Sequence, residues 1–382
     1  MKFFKKQKNK ISVEKQTISQ VVILAVVFGF AAGVVGQIFA DVYIEPWQEY
    51  SDLGLTNTNQ SVTDSVPELR RIKRFLGIQQ DFEVEKSVSQ ALPAVVGIYQ
   101  KKSGTGDALS QSYLPKDMVA NGFILTSDGW LLTYGQLISG LNKNRLVVVY
   151  KNQELVLDQV VIDPMSGIAF VKVSANDLPV VVLGDSDENT LGQLAIAVNS
   201  LKEATVTNIK NPFYQLKATA NDLIFSTEKY DQSILVESNV TNSYLGGPLL
   251  NLAGEVTGVI KEIDKAQGIV TAVPINQFRP VILGILKNHP ISRPYLGVVY
   301  LDLSKTTGGA LIYKKPLAKT PAAAAGLQVN DVIVSVDGQS IDSDDNLTKL
   351  IQQYQPGDEV DLEILRDGKQ SVKTITLSSL PE

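Results

Sequence analysis

From Gln16 to Ala40 the chain runs for 25 residues without a charged side chain, and few soluble folds can bury such a stretch. As a helix it would reach about 37 Å, more than the roughly 30 Å of hydrocarbon in a bilayer. Lys2, Lys5, Lys6, Lys8, Lys10 and Lys15 precede it, against a single acid, Glu14. That excess of positive charge holds the preceding end in the cytoplasm. The expectation is a single-pass cell-membrane protein. Residues 1–15 form its basic cytoplasmic tail, 16–40 form a transmembrane helix, and everything from Asp41 onward lies outside. A cleaved signal peptide shows the same order of basic, apolar and small residues. This apolar run is long for one, and Ile38-Phe39-Ala40 is a poor small-x-small cleavage site. Gly29-Phe30-Ala31-Ala32-Gly33 has the spacing of close helix pairing, although such spacing is common in membrane helices.

The remaining length, out of 382 residues, is enough for two or more domains. Residues 41–80 read as a polar linker ending in a short helix, where Leu69, Ile72, Phe75 and Leu76 alternate with Arg70, Arg71, Lys73 and Arg74. A basic amphipathic helix there would rest on anionic headgroups or pack on the next domain. From 81 to 276 the texture is β: VVGIYQ, GFILT, WLLTY, RLVVVY and IAFVKV are separated by Gly, Asp, Asn and Pro turns. Residues 277–293 read as a short helix and a proline-marked linker, and 294–382 as a small mixed α+β unit. The fold class is therefore mainly β, a sandwich or barrel followed by a smaller domain.

Composition removes much chemistry. A net charge of -5 argues against a nucleic-acid partner, which would need a basic face. The absence of Cys excludes disulfides, thiolate metal sites and cysteine nucleophiles. One His in the whole chain excludes histidine-built zinc sites and leaves one imidazole for base catalysis. No metal and no cofactor is expected.

Three stretches carry more specific information. Gly122-Phe123-Ile124-Leu125-Thr126-Ser127-Asp128-Gly129-Trp130-Leu131-Leu132-Thr133 is the first. Asp163-Pro164-Met165-Ser166-Gly167-Ile168-Ala169-Phe170-Val171-Lys172-Val173 is the second, and Ser243-Tyr244-Leu245-Gly246-Gly247-Pro248-Leu249-Leu250-Asn251 the third. Together they resemble the HtrA family of trypsin-like serine proteases, which implies a chymotrypsin-like double β-barrel over 81–276. In that family these words surround the catalytic His, Asp and Ser. The matching positions here are Gln136, Gly167 and Leu245. An acyl-transfer triad needs a hydroxyl nucleophile, a base titrating near neutrality and a carboxylate to orient that base. Glutamine takes no proton at neutral pH, glycine orients nothing, and leucine has no nucleophilic atom. The family's oxyanion hole uses backbone N–H groups that here belong to Leu245 and Ser243, with Ser243 replacing a glycine. Gly246-Gly247-Pro248 reads as a tight backbone approach at a barrel corner.

Substitutes for the triad are few. Ser243 lies near the elbow, His289 lies in the linker after the barrel, and Lys172, Lys261 and Lys265 are lysines that a Ser–Lys pair would require.

The C-terminal unit resembles a PDZ domain of the HtrA type. The resemblance rests on Arg293-Pro294-Tyr295-Leu296-Gly297-Val298, Thr320-Pro321-Ala322-Ala323-Ala324-Ala325-Gly326-Leu327 and Asn330-Asp331-Val332-Ile333-Val334-Ser335-Val336-Asp337-Gly338. It implies that a peptide adds a strand beside Val298 to Leu301, with its terminal carboxylate on the Leu296-Gly297 turn. Asn346 to Tyr354 reads as the groove helix, with Leu347, Leu350 and Ile351 on one face or in the core. Arg293 is expected either to add charge at the carboxylate site or to be solvated. Asp342-Ser343-Asp344-Asp345 reads as that helix's N-terminal cap.

The resemblance thus implies a membrane-anchored pseudoprotease that binds C-terminal peptides or unfolded proteins, as a homotrimer or with an active HtrA relative. An endopeptidase with relocated catalytic groups is the competing expectation, and a scaffold with a dead groove is the third.

Overall fold

The computed structural model describes residues 80–102, 112–215, 223–237, 239–303, 308–342 and 346–380. The tail, the apolar run and the basic helix expected near 67–78 lie outside the described residues. Among the described residues no helix is long and apolar enough to cross a membrane.

The described chain opens not with a strand but with a helix over residues 80–91. Val84 and Val88 lie one turn apart and pack on the barrel core, with Ala91 buried behind them. Ser87 is buried, and its hydroxyl donates to the carbonyls of Glu83 and Leu252, stapling the helix to a later turn.

Six antiparallel strands then close the first barrel. In spatial order they are Val95–Gln100, Met118–Ile124, Trp130–Tyr134, Ile168–Val173, Gln153–Ile162 and Leu146–Tyr150. The second ring runs Pro248–Leu250, Leu194–Val198, Ala204–Tyr214, Ser233–Val236, Ile269–Pro274 and Glu255–Asp264, which pairs back onto Pro248–Leu250. Strand alternation explains how the two share a core. In Leu194–Val198, Ala195 and Ala197 face the interior of the second barrel, while Ile196 and Val198 join the core that also holds Phe123, Leu132 and Phe170. The helix Arg279–Leu286 buries Val281, Ile282 and Ile285 in that same core, so most of the expected 277–293 linker is barrel structure.

The PDZ sheet runs Val299–Asp302, Ala310–Ile312, Val332–Val336, Glu359–Arg366, Lys369–Thr376. Its groove helix is short, Leu347–Ile351. The helix's N-cap is Asn346, whose side chain accepts from the Lys349 N–H at 2.9 Å; of the expected cap Asp342-Ser343-Asp344-Asp345, residues 343–345 lie outside the described residues. One further strand joins this sheet at its edge, Ile224–Ser226, and it comes from the barrel half of the chain.

Candidate functional site

The three triad-matching positions converge where the barrels meet. The Gly135 N–H donates to the Gly167 carbonyl at 2.8 Å, which ties the turn carrying Gln136 to the turn carrying Gly167. Leu137 packs against Gly246, next to Leu245. The convergence expected from the motifs is therefore present, and the chemistry at each corner can be read directly.

Gln136 lies exposed in the single turn Gly135–Leu137, where its Oε1 accepts from the Tyr134 hydroxyl at 3.1 Å. Gly167 has φ +74, a conformation that costs other residues about 1–2 kcal/mol. A side chain there would begin 3.1 Å from the Tyr134 ring. Tyr134 thus fills the space between the two positions, and burial, then the negative charge of Glu262, pushes its phenol pKa up.

Leu245 closes the turn Asn242–Tyr244. Its N–H donates back to the Asn242 carbonyl at 3.2 Å, while the Gly246 and Gly247 N–H groups donate to Ile260 at 2.8 Å and Tyr244 at 2.9 Å. The Leu245 N–H, one of the two donors that the family's oxyanion hole would use, is thus committed to a protein carbonyl. Asn121, which the motifs did not single out, fixes this arrangement. It is 1% exposed, and its Nδ2 donates to the Ser243 and Leu245 carbonyls at 2.8 and 3.1 Å. Its Oδ1 accepts from the Ser200 N–H and hydroxyl at 2.9 and 2.8 Å. A buried carboxamide with both ends satisfied holds a loop in one shape.

The candidate substitutes lie elsewhere. The Ser243 hydroxyl meets Thr241 Oγ1 at 2.9 Å, and Asn199 and Glu203 at 3.4 Å; none of these is an amine or imidazole. Lys172 is held by the Asp128 carboxylate and carbonyl, both at 2.6 Å. Lys261 has its pKa lowered by burial, but its charged neighbours are Glu262, Lys229 and Asp231. His289 is exposed just after the helix Arg279–Leu286.

Arg293 corrects its expected role. It is 1% exposed and forms a two-pronged ion pair with Asp163, itself fully buried, at 2.5 and 3.2 Å. Its remaining valences go to the Gln277 carbonyl at 2.8 Å and the Tyr230 hydroxyl at 3.4 Å, with the guanidinium over the Tyr230 ring. A guanidinium so enclosed is neither solvated nor free for a peptide carboxylate. Burial foremost pushes the Tyr230 phenol pKa up to about 12, against the pull of Arg293. Asp163 also accepts from the Ser166 N–H and hydroxyl, and its own carbonyl accepts from the Gly167 N–H. Ser166 and Asp163 were visible in the second motif; their partner Arg293, 130 residues away, was not.

In the PDZ unit, Leu296 and Val298 are buried, Tyr295 is half-buried on a short pairing with Ser378, and the Gly297 N–H faces Glu228 at 2.9 Å. Leu347, Leu350 and Ile351 all belong to the domain core, together with Phe225 from the barrel half. The edge beside Val299 to Leu301, expected to be open, is paired with Ile224–Ser226.

Residues 120–259 match the family model of the trypsin-like peptidase domain, and residues 294–377 that of the PDZ domain. A DegP-like periplasmic serine endoprotease of Pseudomonas fluorescens is 31% identical over 300 residues, covering 75% of this chain and 60% of that protein. A DegP-like protein of Halomonas elongata is 29% identical, covering 69% and 57%. The chain therefore spans about 60% of the length of these curated relatives. Among solved structures, the HtrA-type protease AlgW with a tripeptide superposes with a TM-score of 0.61 at 23% identity, covering 78% of this chain and 97% of that one. AlgW with a decapeptide superposes with a TM-score of 0.58. The chain is a homologue of the DegP/HtrA proteins, with a trypsin-like peptidase domain followed by a PDZ domain.

Proposed function

We propose that the chain is a pseudoprotease of the cell envelope, anchored by residues 16–40, that binds peptides or unfolded proteins through its PDZ domain. The observation that carries this reading is the closed turn at Leu245. An aliphatic side chain stands at the nucleophile position, and its own N–H, an oxyanion donor in the family, is spent on the Asn242 carbonyl. Gln136 and Gly167 supply neither a base nor its orienting carboxylate. The periplasmic designation of the DegP-like relatives supports the outward placement of both domains. The peptides bound to AlgW support a peptide role for the PDZ unit. A homotrimer, or assembly with an active relative, is the expected form of action.

One observation favours the competing reading of an active endopeptidase. Burial lowers the Lys261 pKa, as a lysine base requires. Incubating the purified full-length protein with a denatured substrate and a saturating C-terminal peptide separates the two. No fragments are expected from the wild type. Fragments that disappear in Ser243→Ala or Lys261→Met would establish the endopeptidase instead.

A further inference from the structure

The strand Ile224–Ser226 occupies the place where a peptide would add to the PDZ sheet. It runs antiparallel to the edge strand, with Ile224 opposite Leu301, Phe225 opposite Tyr300 and Ser226 opposite Val299. The ladder continues through the Thr227 N–H, which donates to the Val298 carbonyl at 3.1 Å, and the Val298 N–H, which donates to Thr227 Oγ1 at 3.2 Å. The groove helix grips the other side. Thr348 Oγ1 donates to the Ser226 carbonyl at 3.1 Å, and Gln352 Nε2 to the Thr227 carbonyl at 3.4 Å. Thr227 is fully buried.

Two features go beyond an ordinary strand pairing. Phe225 is 5% exposed, shares the PDZ core with Leu296, Leu347 and Ile351, and lies 5.7 Å from the Tyr300 ring. It fills an aromatic site between strand and helix. Further along, Glu228 Oε1 accepts from the Gly297 N–H at 2.9 Å. A side-chain carboxylate thus stands on the Leu296-Gly297 turn, where a peptide's terminal carboxylate would sit. The Ser226 hydroxyl donates to its other oxygen at 2.6 Å and holds it there.

We propose that Ile224–Glu228 is a built-in ligand of the PDZ groove, which imitates the peptide that must displace it. This rests on the reading of the groove as a peptide site. The contacts define the displacing ligand by chemistry: an extended peptide with a free terminal carboxylate and an aromatic residue two or three places before it. A groove open for only a fraction of the time weakens apparent affinity by that fraction. The occupied segment also runs two residues on to Tyr230, against Arg293 and Asp163, so its release would be felt beside Gly167.

The chain contains no cysteine, which makes the contact testable by cross-linking. Ser226→Cys with Val299→Cys places two thiols at opposed ladder positions, the geometry a disulfide needs. The full-length protein is expected to close this bond almost completely under mild oxidation. Binding is read by the anisotropy of a fluorescein-labelled Leu-Ile-Phe-Ser-Thr peptide with a free carboxylate, with its amidated copy as control. The oxidised form should bind at least ten-fold more weakly than the reduced form. Phe225→Ala combined with Glu228→Gln should bind ten-fold or more tightly than the wild type. Failure of the bond to form would overturn the built-in ligand, as would equal binding by the oxidised and reduced forms. A bond that forms, with no peptide taken up by any form, would uphold the internal contact and overturn the peptide-binding reading instead.

Discussion

Replacing Arg293 by methionine is expected to destabilise the folded chain by about 3–5 kcal/mol, because the change strands the Asp163 carboxylate in a dry site without its cation. Asp163 is fully buried, and the guanidinium supplies both its charge partner and two of its hydrogen bonds. Two donations from Ser166 to one carboxylate oxygen remain, and they satisfy it without neutralising the charge. Pairing Arg293→Met with Asp163→Asn removes the stranded charge while Ser166 keeps its acceptor. The double variant should recover most of the loss. Urea denaturation followed by the fluorescence of buried Trp130, in a Trp47→Phe background, measures both. A single-variant loss below about 1 kcal/mol would show that water reaches Asp163, since exposed pairs contribute no more than that.

A second large effect is expected at the collapsed turn. Gly246 has φ +78, and a methyl group there would press on the Asn121 carbonyl and lie 2.6 Å from Thr133 Oγ1. That hydroxyl cannot retreat, because it donates to the same carbonyl at 2.6 Å. Left-handed strain and overpacking together should make Gly246→Ala cost about 2–5 kcal/mol. The same denaturation measures it. A change below about 1 kcal/mol would mean that the Leu245 turn is not held by the close approach to Asn121.

Both effects show what a linear sequence discloses. The double barrel and the PDZ unit were legible because their strands are bounded by turn residues and their motifs are contiguous. The convergence of Gln136, Gly167 and Leu245 followed from where those motifs fall. The helix at 80–91 was hidden in a β-rich stretch, since only Val84, Val88 and Ala91 mark its face. Arg293 was misread because its partner lies 130 residues away in the sequence, and a charge beside a peptide motif looks the same whether it meets solvent or Asp163. The strand Ile224–Ser226 has an ordinary β-forming sequence, and nothing in it names a partner some 75 residues later. Local pattern specifies that a segment is extended; the choice of neighbour is made by Phe225 finding a buried site and Glu228 finding the Gly297 N–H. Asn121 was invisible for the same reason, as its importance lies in four hydrogen bonds that exist only once the barrels close.

As a pseudoprotease, the proposed function, the protein would keep the architecture of a peptidase domain without the reactive groups of the chemistry. The most direct measurement is the intact mass of the purified full-length protein after exposure to an alkyl fluorophosphonate, which phosphonylates activated serines, with and without saturating C-terminal peptide. An unchanged mass in both conditions is the predicted result. A stoichiometric adduct on Ser243, lost in Ser243→Ala, would contradict it.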